Sequence, residues 1–271
     1  MSTYRSCMPI RQLSLDGLVA IVTGGGHGLG LEIARGLRSA GYSVVISGRD
    51  KQVLVEAERE LDPHHHAVVS MCCDVRDEDA VHGMLAFALE RFGRVDVLVN
   101  NSGIAGPTAP VARSEIASWR ETIETNLLGT YMCCRAVLPI MISQGSGSIV
   151  NIGSMTAKRP LFGRSSYAAS KSALLGFTRT LALEVGPYGI RVNLVSPGPV
   201  EGERIEHVFA AQARTRGITA EQARAEMTSD SPLDRLTPPQ DVAAAVAFLV
   251  SDAAASITGE DLNVSAGIVM H

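Results

Sequence analysis

What most constrains this chain is an alternation: short apolar runs and longer helical stretches follow one another about six times. Leu18–Thr23 reads as a first strand and Leu29–Ala40 as a helix closed by Gly41. Ser43–Ser47 is a second strand, and Asp50–Leu61 a helix with Asp50 placed to cap it. Strand Ala67–Cys73, helix Asp77–Phe92 ended by Gly93, and strand Val95–Val99 repeat the unit. The last of these is apolar but for Asp96, which suits a strand buried on both faces. One long helix is expected over Ser114–Ser143, then strand Ser148–Ile152, helix Ser166–Val185 and strand Arg191–Val195. Residues 199–237 are charged and irregular, with a second helical stretch near Ala220–Met227; helix Pro239–Ser251 and a strand near Leu262–Val264 close the chain. Such alternation predicts an α/β fold: a parallel sheet wound in both directions, with helices on both faces.

Composition removes several alternatives. The 271 residues are 46% hydrophobic and 19% charged, which excludes wholesale disorder. A formal net charge of −4 provides no global basic field for a nucleic acid backbone. The longest purely apolar run, Val242–Val250, is too short to cross a bilayer, and the first twelve residues hold no apolar core of signal-peptide length. A cytoplasmic protein, without nucleic acid or membrane partners, is therefore expected. No linker or repeat interrupts the pattern, so 13–271 reads as one domain behind an N-terminal extension, 1–12. Cys7, Cys72, Cys73, Cys133 and Cys134 lack the spacing of a disulfide framework or zinc site and read as small apolar residues of a reducing compartment. His64, His65 and His66 are neighbours whose side chains diverge, which suits a solvated turn, and no metal is expected.

The first strand runs into Thr23-Gly24-Gly25-Gly26-His27-Gly28-Leu29-Gly30 and then a helix. Glycines let a backbone turn tightly and approach a pyrophosphate, while the helix N-terminus presents free N–H groups and partial positive charge. The spacing is TGxxxGxG, not GxGxxG. Its position between first strand and helix points to a Rossmann-like dinucleotide fold. In such folds an acid ending the second strand bonds the adenosine ribose. Here Gly48 holds that place and Arg49 follows, a guanidinium suited to a 2′-phosphate, which favours NADP over NAD. The alternative is that Arg49 is merely solvated and Asp50 takes the ribose.

Tyr167 and Lys171 lie four apart on a predicted helix and so share a face. With five tyrosines and only three lysines (Lys51, Lys158, Lys171), that pairing arises by chance in roughly 5% of such chains. Ser154, just past the Ser148–Ile152 strand, falls at the sheet edge where ligands bind. Together with Asn100-Asn101-Ser102-Gly103, Asn126 and Pro197-Gly198, in this order over most of the chain, these residues resemble the short-chain dehydrogenase/reductase family in its compact single-domain branch. Ser102 stands where the family usually has alanine, and Ser265-Ala266-Gly267 replaces an acid-Gly-Gly.

The resemblance implies an NAD(P)-dependent enzyme moving a hydride between nicotinamide and a ketone or secondary alcohol. Tyr167 would be the acid and base, Ser154 would polarise the oxygen, and Lys171 would lower the phenol's pKa and bond the nicotinamide ribose. Asn126 would hold a relay water; alternatively it is a structural residue of its helix. The dinucleotide would meet Thr23, Gly24, Gly26, His27, Gly28, Leu29 and Gly30, then Arg49, Asp74 and Val75, then Asn100, Ser102 and Gly103. At the nicotinamide end it would meet Tyr167, Lys171, Pro197, Gly198 and Val200. Substrate contacts would come from Ser154, Met155, Tyr167 and Arg204, with 199–237 as a variable lid. Arg204, with Lys158 or Arg159, is the expected contact for an anionic or polyhydroxylated substrate. Family members are commonly tetramers packed through their long helices, so a homotetramer or homodimer is expected. Reduction of 3-oxoacyl thioesters and NAD-linked oxidation of polyols or sugar acids both stay open. So does a nucleotide-binding regulatory scaffold, though a pure binder needs no proton donor.

Overall fold

A computed structural model of the chain describes residues 17–64 and 66–271, so the expectations for the 1–12 extension, Cys7 and His65 lie outside the described residues. The elements run β1 (Val19–Thr23), α1 (Gly28–Ser39), β2 (Ser43–Gly48), α2 (Lys51–Leu61), β3 (Val68–Cys72), α3 (Glu78–Phe92) and β4 (Val97–Asn100). The second half continues with α4 (Ile116–Ile123), α5 (Gly129–Gln144), β5 (Gly147–Ile152), α6 (Ser165–Val185) and β6 (Ile190–Pro197). It ends with α7 (Glu203–Arg216), α8 (Ala220–Thr228), α9 (Pro239–Val250) and β7 (Asp261–Val264).

The seven strands form one parallel sheet in the order β3-β2-β1-β4-β5-β6-β7. Period-two alternation sorts its side chains between two cores. Ala20, Val22, Val44, Ile46, Val97 and Val99 face α1, α2 and α9. Ile21, Val45, Leu98 and Ile149 face α3, α5 and α6. Each such aliphatic side chain, removed from water on folding, contributes about 1.5–3 kcal/mol before the entropy of ordering it is counted. The chain winds outward from β1 to β3, then returns to place β4 on the other side of β1, so the C-terminal ends of β1 and β4 flank a crevice.

Local chemistry sets the boundaries. Asp50 accepts hydrogen bonds from the N–H groups of Gln52 and Val53 and caps α2, and Asp77 caps α3 likewise through Asp79 and Ala80. Gly93 closes α3 in the left-handed conformation. Asp62 gathers four backbone N–H groups, those of His64, His66, Ala67 and Val68, so the histidine-bearing turn wraps a carboxylate. Burial opposes the charge of Asp62, but those four bonds hold it down at about 2. Cys73, Cys133 and Cys134 are buried, Cys72 is exposed, and all four are free thiols.

Two expectations are corrected. The single helix over Ser114–Ser143 is a composite: α4 and α5 are joined by a π-helical turn, Glu124–Leu128, which carries Asn126. That wide turn turns Thr125 and Asn126 inward; such turns often mark functional positions. The composite, Ile116–Gln144, is long and apolar enough to span a bilayer, but half of its most apolar stretch is buried in the protein. The second correction concerns 199–237, which is not irregular. Most of it forms α7 and α8, whose apolar faces meet Met155, Leu236 and Val269 in a third, separate core built on Val208, Phe209, Ala223 and Met227.

Candidate functional site

At the crevice, β1 ends in the glycine loop and α1 begins at Gly28. Gly24 and Gly28 have φ of +65° and +54°, which L side chains rarely adopt. Gly30 packs on the Gly24 carbonyl so closely that a Cβ would overlap it. His27 is exposed and caps nothing with its side chain, and no acid occupies the first turn of α1. The N–H groups of that turn are thus open to an anion. Thr23 is an internal fastener: its Oγ1 accepts from the N–H groups of Asn101 and Ser102 (3.1 and 3.0 Å) and so ties the end of β1 to that of β4. These features fit a dinucleotide pyrophosphate.

Beyond β2, Arg49 is exposed and makes no ion pair among the described residues. Asp50 is committed to capping α2 (2.9 Å to Gln52 N). Asp74 is clamped side-on by Arg76, which holds its carboxyl below the usual range. Val75 is buried against Gly129, where any Cβ would strike it. The Asn100 side chain turns inward, donating to Asn151 Oδ1 (2.9 Å), whose own amide donates to Thr178 (2.9 Å). Asn100 can therefore meet a ligand only through its backbone. Gly198 is closed in by Ser265 and Thr237, and Val200 pairs with Thr237 as an isolated bridge. Pro197 ends β6, beside Val264 of β7.

The phenol lies at the centre of a cluster of fixed groups. Lys171 is buried and donates to the Ile152 carbonyl at 2.7 Å, one of three protons it can give. Its Nζ lies 5.8 Å from the Tyr167 ring centre. Ser154 Oγ is positioned by Thr156, accepting from its N–H at 3.2 Å, and its hydroxyl favours the ionised form of Tyr167. Asn126 is fully buried and clamps Ile104 from both sides: its Oδ1 accepts from Ile104 N (2.8 Å) and its Nδ2 donates to Ile104 O (3.0 Å). The same amide reaches Ser170 on α6 (3.1 Å). Its side chain thereby acts as a positioning group, holding the 103–104 loop against the helix of Tyr167. Gly103 fits there because a Cβ would stand 3.0 Å from Asn126 Oδ1.

Two arginines complete the cluster. Arg204, in the first turn of α7, donates to the Gly103 carbonyl at 3.2 Å, and its Cζ lies 5.9 Å from the Tyr167 ring centre. Arg164, just before α6, is nearer, at 4.7 Å, and is 4% exposed. Sequence reasoning missed Arg164; the only signal was its place three residues before Tyr167. Lys158 and Arg159 are engaged elsewhere, the first with Asp261 (2.8 Å) and the second with Asp230 (2.8 Å). Burial would raise the Tyr167 pKa. Arg204, Lys171, the Ser154 hydrogen bond and Arg164 overcome it and bring the phenol from 10.0 down to about 8. Burial pushes the Lys171 ammonium down, while the facing phenol supports its charge.

Residues 24–269 match the family described as enoyl-(acyl carrier protein) reductase. Cis-4-hydroxycyclohexanecarboxylate dehydrogenase of Sinomonas cyclohexanicum is 38% identical over 249 residues, covering 92% of this chain and 95% of that protein. The crystal structure of a variant actinorhodin polyketide ketoreductase with NADPH superposes with a TM-score of 0.88 at 36% identity, covering 93% of this chain and 97% of the other. NAD+-bound xylitol dehydrogenase gives 0.90 at 30% identity, covering 93% and 99%. Parallel sheet, glycine loop and this degree of likeness over nearly the whole length lead to one assignment: the chain belongs to the short-chain dehydrogenase/reductase family and is an NAD(P)-dependent oxidoreductase.

Proposed function

We propose that the protein interconverts a secondary alcohol and a ketone with Tyr167 as the acid and base, preferring NADP. The observation that carries this reading is the phenol held at about 8 beside the buried Lys171. When bound, the dinucleotide accepts or supplies the hydride. In oxidation the phenolate takes the alcohol's hydroxyl proton as the carbinol C–H leaves as hydride. In reduction the phenol returns a proton to the carbonyl oxygen. Ser154, its hydroxyl fixed by Thr156, orients the reacting oxygen. Lys171, with one donor on Ile152, keeps two protons for a ribose hydroxyl and stabilises the phenolate.

The neighbours' named substrates are a polyketide ketone, a polyol and a hydroxycyclohexanecarboxylate, which share the alcohol–ketone pair. The decisive experiment incubates the purified protein with NADPH or NADH and a panel of ketones, oxo acids and polyols, read at the absorbance band of the reduced nicotinamide. Tight cofactor binding with no turnover of any substrate would favour a scaffold instead. The same reading has copies associate through α5 and α6, where Tyr131 and Leu183 stand exposed in the single chain.

Acid–base use of Tyr167 has a pH signature. Oxidation needs the phenolate, so its kcat/KM should rise with pH and level off above about 8, while reduction should be flat below about 8 and fall above it. Lys171→Met removes a stabilising charge and should move both midpoints upward. Profiles with unrelated midpoints in the two directions would count against the assignment.

NADP preference rests on Arg49 being exposed, with no ion pair among the described residues, and Asp50 being occupied. Arg49→Glu is expected to cost NADPH about 1.5–3 kcal/mol of binding, or roughly 10- to 100-fold in kcat/KM, with NADH improved or unchanged. Equal losses for both cofactors would show that Arg49 does not read the 2′-phosphate.

A further inference from the structure

Among the described residues, the groups that face the reactive phenol are cations with no carboxylate beside them. Lys171, Arg204 and Arg164 all lie within 6 Å of the Tyr167 ring centre, at 5.8, 5.9 and 4.7 Å. No carboxylate is among the groups that shift Tyr167, Lys171 or Arg164. The nearby acids of α7 turn to other partners, Glu203 to His207 (3.9 Å) and Glu206 to Arg224 (3.3 Å). Lys171 has a role toward the cofactor. The two guanidiniums stand against the Tyr167 ring, one just before α6 and the other in the first turn of α7.

Arg164 is the more telling. Its guanidinium is buried, its Nη1 makes one long bond to Thr108 Oγ1 (3.4 Å), and its Nε has no hydrogen-bond partner among the described residues. Removing a guanidinium from water without an opposing charge costs several kcal/mol, so such a group persists where a ligand answers it. Arg204 is its exposed counterpart, carried in the first turn of α7, bonded to the Gly103 carbonyl and set against the Tyr167 ring.

We propose that the physiological substrate carries a carboxylate, received by Arg204, with Arg164 as the fixed positive charge behind it. This rests on the alcohol–ketone reading above and specifies its substrate as a hydroxy acid and the corresponding oxo acid. Both arginines also ease ionisation of Tyr167, so a loss of rate alone would not separate the two roles. A comparison of each acid with its own neutral ester does, because a change at the phenol affects both alike.

The test uses 3-, 4- and 5-oxo carboxylates and their methyl esters, with wild type, Arg204→Gln and Arg164→Met. Wild type should prefer at least one acid over its ester by roughly 10- to 100-fold in kcat/KM, as a charge-assisted contact implies. Arg204→Gln, exposed and harmless to packing, should collapse that ratio to within about threefold, chiefly by raising the acid's KM. Arg164→Met should do the same. If it does not fold, Arg164→Lys keeps the charge and should retain the preference. Esters turned over as well as acids by wild type, or a ratio untouched in Arg204→Gln, would overturn the proposal and leave the oxidoreductase intact. Absence of turnover for acids and esters alike, with either cofactor, would remove the underlying reaction as well.

Discussion

Tyr167→Phe is expected to lower kcat by about 100- to 10,000-fold in both directions, the range that a positioned proton donor contributes. The substitution removes one oxygen and leaves the ring between Arg164 and Lys171, so the cations keep a π face to rest on. Melting temperature and dinucleotide affinity should therefore change little, which separates lost chemistry from lost structure. No neighbouring group can replace the phenol. The Ser154 hydroxyl is a far weaker acid than a phenol, Lys171 is held on the Ile152 carbonyl as the buried cation of the site, and arginine does not give up a proton near neutrality. Retention of the rate within a few fold would mean that the proton comes from elsewhere, and the assignment of Tyr167 would fall.

Gly30→Ala is expected to produce the largest loss of cofactor binding. A methyl there would overlap the Gly24 carbonyl oxygen and lie 2.8 Å from its carbon and 2.5 Å from Asn101 Nδ2. Two of these three atoms are backbone and cannot swing aside, so α1 must separate from the loop. Overpacking of this kind costs about 1–3 kcal/mol, which corresponds to roughly 2–12 °C in Tm for a domain of this size. The N–H groups of the first turn would move with α1, and affinity for NADPH should fall more than stability does. Gly28→Ala is the control. A Cβ there meets nothing within 4 Å, and only its φ of +54° opposes the change, at about 1 kcal/mol. Thermal unfolding and cofactor titration of the pair would decide; similar behaviour would show that the close approach at Gly30 is not what holds the loop.

The sheet was legible because its strands announce themselves. Parallel strands buried on both faces read as unbroken apolar runs, and Asp50, Asp77 and Gly93 mark helix ends by side-chain and backbone chemistry that acts within four residues. The Tyr167–Lys171 pair was legible for the same reason, since helical spacing alone brings the two together. What stayed hidden was decided at long range. Helix α7 buries only Val208, Phe209 and Gln212, too few to mark a helix amid so many charges. Lys158, Arg159 and Arg164 are near neighbours in sequence. The first two find Asp261 and Asp230 across the fold, whereas the third lies against Tyr167 without an acid. A long basic side chain meets whatever tertiary structure sets opposite it, and sequence neighbours do not report that. Asn100 illustrates the same limit, because only the placement of β5 beside β4 directs its amide toward Asn151.

The small apolar cluster beneath α7 and α8 takes Met155, Leu236 and Val269 from outside those helices and nothing from the sheet. The two helices that cover the site are thus packed apart from the two cores that hold the sheet. Exchange of α7 would nevertheless reach the reaction, because Arg204 in its first turn is one of the cations that ease ionisation of Tyr167.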